Sequence, residues 1–403
     1  MLLYSDITSK NPLNIKTVGN ISRRKWSVLG GIRAGIQKQP FDFSVRTEFS
    51  QCQRPLLCTC SFFMLCILST ICAYFMIMLQ GSVIPAIFWL GFPELGWQLV
   101  ILMTVSLYVG NAMKDLVCAP RPLGLKFGRV KVSCLCSSEV ETGKNAFEFG
   151  LPSSHTMNSI CFNFYICHYF HQKGFFSDNM ALVFYLLVTL WVSWIAISRI
   201  YLGLHTPIDI LAGAVAGLTV LTAFISLRDL LVHSIFQPFS GLVTLLFSAL
   251  LLRLHPKPIH YTPSFEFTTS FVGVSFGVVS ALSIDTPLFE TAASLWEHNY
   301  AMLYTTRRLL VGYLVVLFSK SISKAIFRFL LPFLYVTFPM PIRKLWQPPV
   351  HDRLSTTSRA SSMPRTQDGS PADVDATARF LSYAGLGFGT CYIAPVVFQY
   401  CKW

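Results

Sequence analysis

The chain has 403 residues and a mean hydropathy of +0.53, and only 13% of its residues are charged. Water-soluble domains carry about 25% charged residues, so this composition excludes an ordinary soluble domain and indicates an all-α, polytopic bundle of membrane helices. The formal net charge of +13 would suit nucleic acid in a soluble chain, but here the basic residues flank apolar runs. Anionic lipid head groups or an anionic substrate are the expected partners, and nucleic acid is not.

Residues 1–55 are polar and basic, with Arg23, Arg24, Lys25, Arg33, Lys38, Arg46 and Arg54, and lack the pattern of a cleavable signal peptide. They read as an aqueous tail, followed at 56–94 by an anchoring region. Apolar runs near the ~20 residues that cross a bilayer lie at 56–80, 95–113, 153–171, 180–197, 207–226, 235–252 and 269–285. A block at 309–338 is interrupted by Lys320 and Lys324, and a last run covers 379–398. Ser82–Phe92 is apolar but short, with Pro85 and Gly91 inside it. The expectation is eight to ten spans: a core at 95–226, further spans over 227–340, and the last at 379–398. Residues 347–376 are rich in Ser, Thr and Pro and poor in large apolar side chains, as in a disordered loop.

Gly213 and Gly217, like Gly273 and Gly277, have the small-xxx-small spacing that lets helices approach closely. The 12 cysteines show no zinc-type spacing. Cys58, Cys60, Cys66, Cys72, Cys161 and Cys167 sit in apolar runs and read as packing residues. Cys118, Cys134 and Cys136 lie nearer polar loops, where an oxidising compartment would permit a disulfide.

Three polar clusters fall at the ends of apolar runs: Lys114–Pro122 (KDLVCAPRP), Leu151–His155 (LPSSH) and Ser198–Asp209 (SRIYLGLHTPID). If the intervening runs cross alternately, all three emerge on one face of the membrane. Lys and Arg at span ends ordinarily snorkel to head groups, but Pro120 and Pro122 bracket Arg121 and fix its backbone. An Arg fork matches phosphate oxygens in bidentate fashion, and Lys114 and Arg199 add charge. Pro152 and Ser153 are a helix start signal. A helix N-terminus binds phosphate through its free N–H groups, so Ser153 and Ser154 become candidate donors. His205 and Asp209 stand four apart across a second helix start, with Thr206 as N-cap and Pro207 at the first helical position. There Asp209 can accept from one ring nitrogen of His205 and leave the other as a nucleophile. Cations, hydroxyls, two histidines and a carboxylate suit the holding and hydrolysis of a phosphate ester.

The motifs K-x6-RP (Lys114 to Pro122), P-S-x-H (Pro152 to His155) and S-R-x5-H-x3-D (Ser198 to Asp209) resemble the three signatures of the type 2 phosphatidic acid phosphatase superfamily. That superfamily includes lipid phosphate phosphatases, bacterial acid phosphatases, glucose-6-phosphatase and vanadium haloperoxidases. The resemblance covers about 95–226 and keeps every internal spacing. One departure is Ser154, which stands where the family usually has Gly. The PSSH form, the CAPRP segment and the spans after the third motif are most similar to the sphingoid long-chain-base 1-phosphate phosphatases.

The resemblance implies a phosphomonoester hydrolase in which His205 attacks phosphorus, Asp209 orients it, and His155 protonates the leaving alcohol and then activates water. Lys114, Arg121, Ser153, Ser154 and Arg199 would hold the phosphate oxygens. No cofactor or metal is expected, because the clusters lack a set of carboxylates for a divalent cation. A lipid phosphate in the membrane is the expected substrate. Phosphatidate or a polyprenyl diphosphate would be alternatives, and a multi-span transporter or a vanadate-dependent haloperoxidase would be readings of another class. The basic tail predicts a cytosolic N-terminus. Two spans before Lys114 would then put the site in the cytosol and a third in the lumen; the resemblance implies a lumenal site in the endoplasmic reticulum.

Overall fold

A computed structural model describes residues 81–119, 121, 148–201, 204–256, 262–284, 301–337 and 372–401. All of them fall within one compact unit, Thr59–Trp403. The basic tail at 1–55, the anchoring run at 56–80, Cys134 and Cys136, and the Ser/Thr/Pro-rich loop up to residue 371 lie outside the described residues.

Among the described residues the chain is helical, with no strand. Helix α1 covers 81–89, and Gly91 at φ 96°, a backbone conformation natural to glycine, turns the chain into Pro93. Helices α2 (Pro93–Val117), α3 (Ser154–Gln172), α4 (Asp178–Tyr201) and α5 (Pro207–Ile235) build the half that carries the three motifs. Then follow α6 (Ser240–Leu254), α7 (Ser264–Leu282) and α8 (Ala301–Thr337). The last arm runs as α9 (Ala372–Phe388), one wide turn at Gly389–Ile393, and α10 (Ala394–Tyr400).

Six of these elements are long and apolar enough to cross a membrane: α2, α4, α5, α7, α8 and the α9–α10 arm. Helix α3 is too polar to qualify, and its position explains why. It packs among α2, α4 and α5, so Thr156, Asn158 and Ser159 are buried in protein rather than lipid. Its polar groups are paired across the interface: Ser106 donates to the Asn158 amide oxygen at 2.8 Å, and Tyr165 donates to Gln98 at 2.8 Å. The outward faces of α4, α5, α6 and α8 instead expose Leu182, Leu186, Leu190, Leu211, Leu218, Leu246 and Leu314. So much contiguous apolar surface is a lipid-facing surface.

Helix bounds exceed several of the apolar runs. Helix α9 begins at Ala372, inside the segment expected as loop, and α8 begins at Ala301 rather than 309. Hydropathy detects the lipid-immersed part, whereas a helix continues into the interface wherever its polar residues find partners. Arg379 does so, pairing with Glu266 at 2.7 Å.

The expected glycine contacts are present. A Cβ at Gly213 would meet the Ser153 carbonyl oxygen at 2.7 Å, and one at Gly217 would meet Met157 backbone at 3.1 Å. Gly273 and Gly277 press α7 still more closely onto the backbone of Phe380 and Ala384 of α9. At the far end of the core from the motifs, Glu94 at the start of α2 accepts from Arg228 of α5 and pairs with Lys173 just after α3, each at 2.7 Å. That clamp fixes the register of three helices at the end remote from the three clusters.

Candidate active site

Helix α2 ends on Cys118, which adopts a left-handed conformation (φ 53°) and donates its N–H to the Lys114 carbonyl. The chain turns sharply there, and Gly150 N–H reaches back to the Ala119 carbonyl at 2.9 Å. The two ends of the long loop are thereby joined beside Lys114. Arg121 lies on one side of the junction and Glu148 on the other. The Cys118 thiol donates to the Asp115 carbonyl at 3.0 Å, and Cys118, Cys161, Cys167, Cys391 and Cys401 form no disulfide among the described residues.

Helix α3 starts at Ser154 with Ser153 as N-cap. The Ser153 N–H donates to the carbonyl of Asp209 at 3.0 Å, so the second and third clusters are stitched backbone to backbone. Ser153 is fully buried, and its hydroxyl accepts from Thr156 at 3.2 Å. The buried Ser154 hydroxyl has no hydrogen-bond partner among the described residues.

Helix α5 starts as the sequence predicts, with Thr206 as N-cap and Pro207 in the first turn. Asp209 closes a capping box: its Oδ2 accepts from the Thr206 N–H at 2.7 Å, while its own N–H donates to the Thr206 hydroxyl. The same Oδ2 lies 3.7 Å from His205 Nδ1. That is a charge-pair distance rather than the direct hydrogen bond the spacing suggested, because the carboxylate is held down by the cap.

The three clusters converge. Lys114, Arg121, Arg199 and His205 all lie close enough to His155 to act on its charge. Lys114, Ser153, Arg199, His205 and Asp209 are buried, while Ser154 and His155 remain partly open. Burial lowers the affinity of His205 for a proton, Asp209 pulls the other way, and Arg121 and Lys114 push it down again; the net effect is downward. His205 is therefore a neutral imidazole at neutral pH. Pro120, Pro122, Leu202 and Gly203 lie outside the described residues.

Sequence reasoning missed two carboxylates. Glu148 bridges the cations of the first motif: one oxygen takes Lys114 Nζ and the other takes Arg121 Nη2 at 2.7 Å. Burial opposes its ionisation, but Lys114 and Arg121 outweigh that and hold the carboxyl at about 2. Asp115 turns the opposite way from its neighbour Lys114, accepts from Thr262 at 3.0 Å and lies 3.7 Å from His255 Nδ1. Its position in the KDLVCAPRP cluster was the available signal for Asp115. Glu148 had none, since its role depends on the loop closing behind it.

Buried cations beside a neutral histidine and a helix N-terminus are the requirements for binding a phosphoryl group and attacking it. Residues 95–232 match the PAP2 superfamily. Lipid phosphate phosphatase delta of Arabidopsis thaliana is 30% identical over 334 residues, covering 79% of this chain and 78% of that protein. The chain belongs to the PAP2 superfamily. A dihydrosphingosine 1-phosphate phosphatase of Schizosaccharomyces pombe is 27% identical over 342 residues, covering 79% of each chain. Sphingosine-1-phosphate phosphatase 1 of Rattus norvegicus is 23% identical over 319 residues, 76% of this chain and 65% of that protein. No solved structure gives a significant match. This PAP2 protein is a phosphoric monoester hydrolase of the lipid phosphatase class, embedded in a membrane by multiple helices.

Proposed function

We propose that this PAP2 enzyme hydrolyses sphingoid long-chain-base 1-phosphates, without a metal, through a phosphohistidine at His205. The observation that carries the chemistry is the neutral, buried imidazole of His205 set among Lys114, Arg121 and His155. The names of the fungal and rat relatives support the substrate.

In the first step the His205 nitrogen turned away from Asp209 attacks phosphorus. The P–O bond to the lipid breaks, and His155 gives the departing oxygen a proton. In the second step His155 takes a proton from water, whose oxygen attacks phosphorus and frees His205. Lys114, Arg121 and Arg199 neutralise the three non-bridging oxygens, with Ser153, Ser154 and the amides at the start of α3 as further donors. Asp209 acts on His205 through its field and by fixing the turn before Pro207. Splitting one displacement into two is useful because unaided phosphate monoesters hydrolyse extremely slowly. A lipid is a natural substrate here, since its tail can stay among the helices while its head reaches the cluster. The reading includes residence in the endoplasmic reticulum with the site facing the lumen. Glycosylation mapping of the 123–150 loop tests that sidedness.

The decisive experiment is phosphate release by detergent-solubilised protein from matched micelles of sphingoid-base 1-phosphate, phosphatidate and polyprenyl diphosphate. Preference for the sphingoid base is the expected result. A higher kcat/KM for phosphatidate or the diphosphate would overturn the substrate assignment and leave the phosphatase chemistry standing.

A further inference from the structure

Glu148 occupies the place a phosphate needs. Its two carboxylate oxygens are divided between Lys114 and Arg121, the cations proposed to hold the substrate. Its backbone is fixed too, because its carbonyl accepts from Arg121 Nε at 3.1 Å. When a phosphate dianion takes the two cations, the carboxylate can rotate but cannot travel far. A bare carboxylate beside a phosphate is a repulsive pair in a poorly hydrated site, and an uncompensated buried charge is costly.

Relief must come from a proton or from another cation. Among the described residues, the neighbouring cations Lys114, Arg121 and Arg199 are engaged by the phosphate, and the proton on His155 goes to the departing oxygen. Ordinary carboxylates are ionised at neutral pH, and Glu148 is held ionised by its surroundings to about 2 in the free site. Beyond those described residues, the source we consider is the substrate itself.

We infer that Glu148 selects for a protonated amine on the carbon next to the phosphate ester carbon, exchanging its two protein cations for the ammonium as the phosphate docks. This rests on the sphingoid-base reading, whose substrates carry such a 2-amino group. A lipid phosphate lacking the amine leaves the carboxylate unbalanced, so the same residue disfavours it; specificity then comes from repulsion as much as attraction. After phosphate leaves, Glu148 re-forms its bridge to Lys114 and Arg121 and releases the amino alcohol.

The test uses wild-type enzyme and Glu148→Gln with p-nitrophenyl phosphate as reporter, and 2-aminoethyl phosphate and ethyl phosphate as competitive inhibitors. The two inhibitors differ in charge only by the ammonium. The expected result is that 2-aminoethyl phosphate inhibits wild type roughly tenfold more tightly, the scale of one charge-assisted pair, and that Glu148→Gln erases the difference. Equal inhibition of wild type overturns the inference, as does an unchanged ratio in the variant, which would reduce Glu148 to a spacer for Lys114 and Arg121. If Glu148→Gln does not fold, the wild-type ratio decides alone. Wild type that ignores sphingoid-base phosphate yet shows the tenfold ratio sinks the substrate reading and keeps Glu148 as an ammonium site. Equal inhibition with sphingoid-base phosphate still hydrolysed sinks only the role of Glu148.

Discussion

The amide of Ser153 donates to the carbonyl of Asp209, 3.0 Å away, so the start of α3 is built on the first turn of α5. Gly213, one turn further along α5, makes this approach feasible: any Cβ there would lie 2.7 Å from the Ser153 carbonyl oxygen. Gly213→Ala should therefore push the second motif away from the third. Overpacking of this kind costs about 1–3 kcal/mol, and we expect a lower melting temperature in detergent and at least a tenfold loss of kcat/KM. Gly241→Ala, whose Cβ would come no nearer than 3.4 Å to its neighbours, the Ser280 and Ser283 hydroxyls and the Ser280 Cα, is the matched control and should behave as wild type. Equal behaviour of the two variants would remove the packing argument.

His205→Ala should abolish phosphate release while the protein remains folded in membranes. Full activity would refute the nucleophile assignment. His155→Ala should lower turnover by about 10²–10⁴-fold, the usual scale of acid–base catalysis. With a good leaving group such as p-nitrophenolate it should still accumulate a labelled, acid-labile phosphoenzyme, because the first step then needs no proton donor. Absence of label from that variant, with label present in wild type, would place His155 before the chemistry.

Asp209 raises the proton affinity of His205, against burial and the cations Arg121 and Lys114. The nucleophile must be unprotonated, so activity is lost as pH falls through the His205 pKa, which lies below the ordinary value of about 6.5. Asp209→Asn removes the upward pull. The acid limb of kcat/KM should move to lower pH while the maximal rate falls, by about 10²–10⁴-fold if the carboxylate's role is that of a histidine-orienting aspartate. The second ionisation of the substrate phosphate, near 6, is common to both proteins, so the difference between their profiles isolates this residue. A limb that stays in place or moves upward contradicts the assignment.

Asp115 anchors the end of α2 to the α6–α7 side by way of Thr262 and His255. Asp115→Ala leaves the buried Thr262 hydroxyl without its acceptor, at a cost of about 1–3 kcal/mol, removes the charge beside His255, and frees the turn that carries Lys114. The expected outcome is a lower melting temperature together with a raised KM. Asp115→Asn keeps an acceptor for the Thr262 hydroxyl and should be milder on both measures. If the two variants are equally impaired, the hydrogen bond is not what anchors the helix.

Much of the site was legible because its chemistry is written locally. Thr206, Pro207 and Asp209 encode a helix start by themselves, and the alternation of apolar runs predicts that Lys114, His155 and His205 share one end of the bundle. What was not legible depends on through-space closure. Glu148 reads as one more loop carboxylate until Gly150 reaches Ala119 and swings it onto Arg121. The expected His205–Asp209 hydrogen bond failed for a related reason: a capping box and an imidazole compete for one carboxylate, and spacing alone does not say which takes it. Helix α3 is a mixed case: its apolar run is legible at 153–171, but the partners of the polar residues within it, supplied by α2, α4 and α5, are not.

The Gly150–Ala119 hydrogen bond works as a clasp at the base of residues 122–147. Arg121 and Glu148 lie just inside that clasp and pair with each other, so the two ends of the interval leave from adjoining points. A glycan acceptor, an epitope or a fluorophore placed in that interval would report which compartment the proposed site opens into, and retained phosphatase activity would show that both closures survive the insertion.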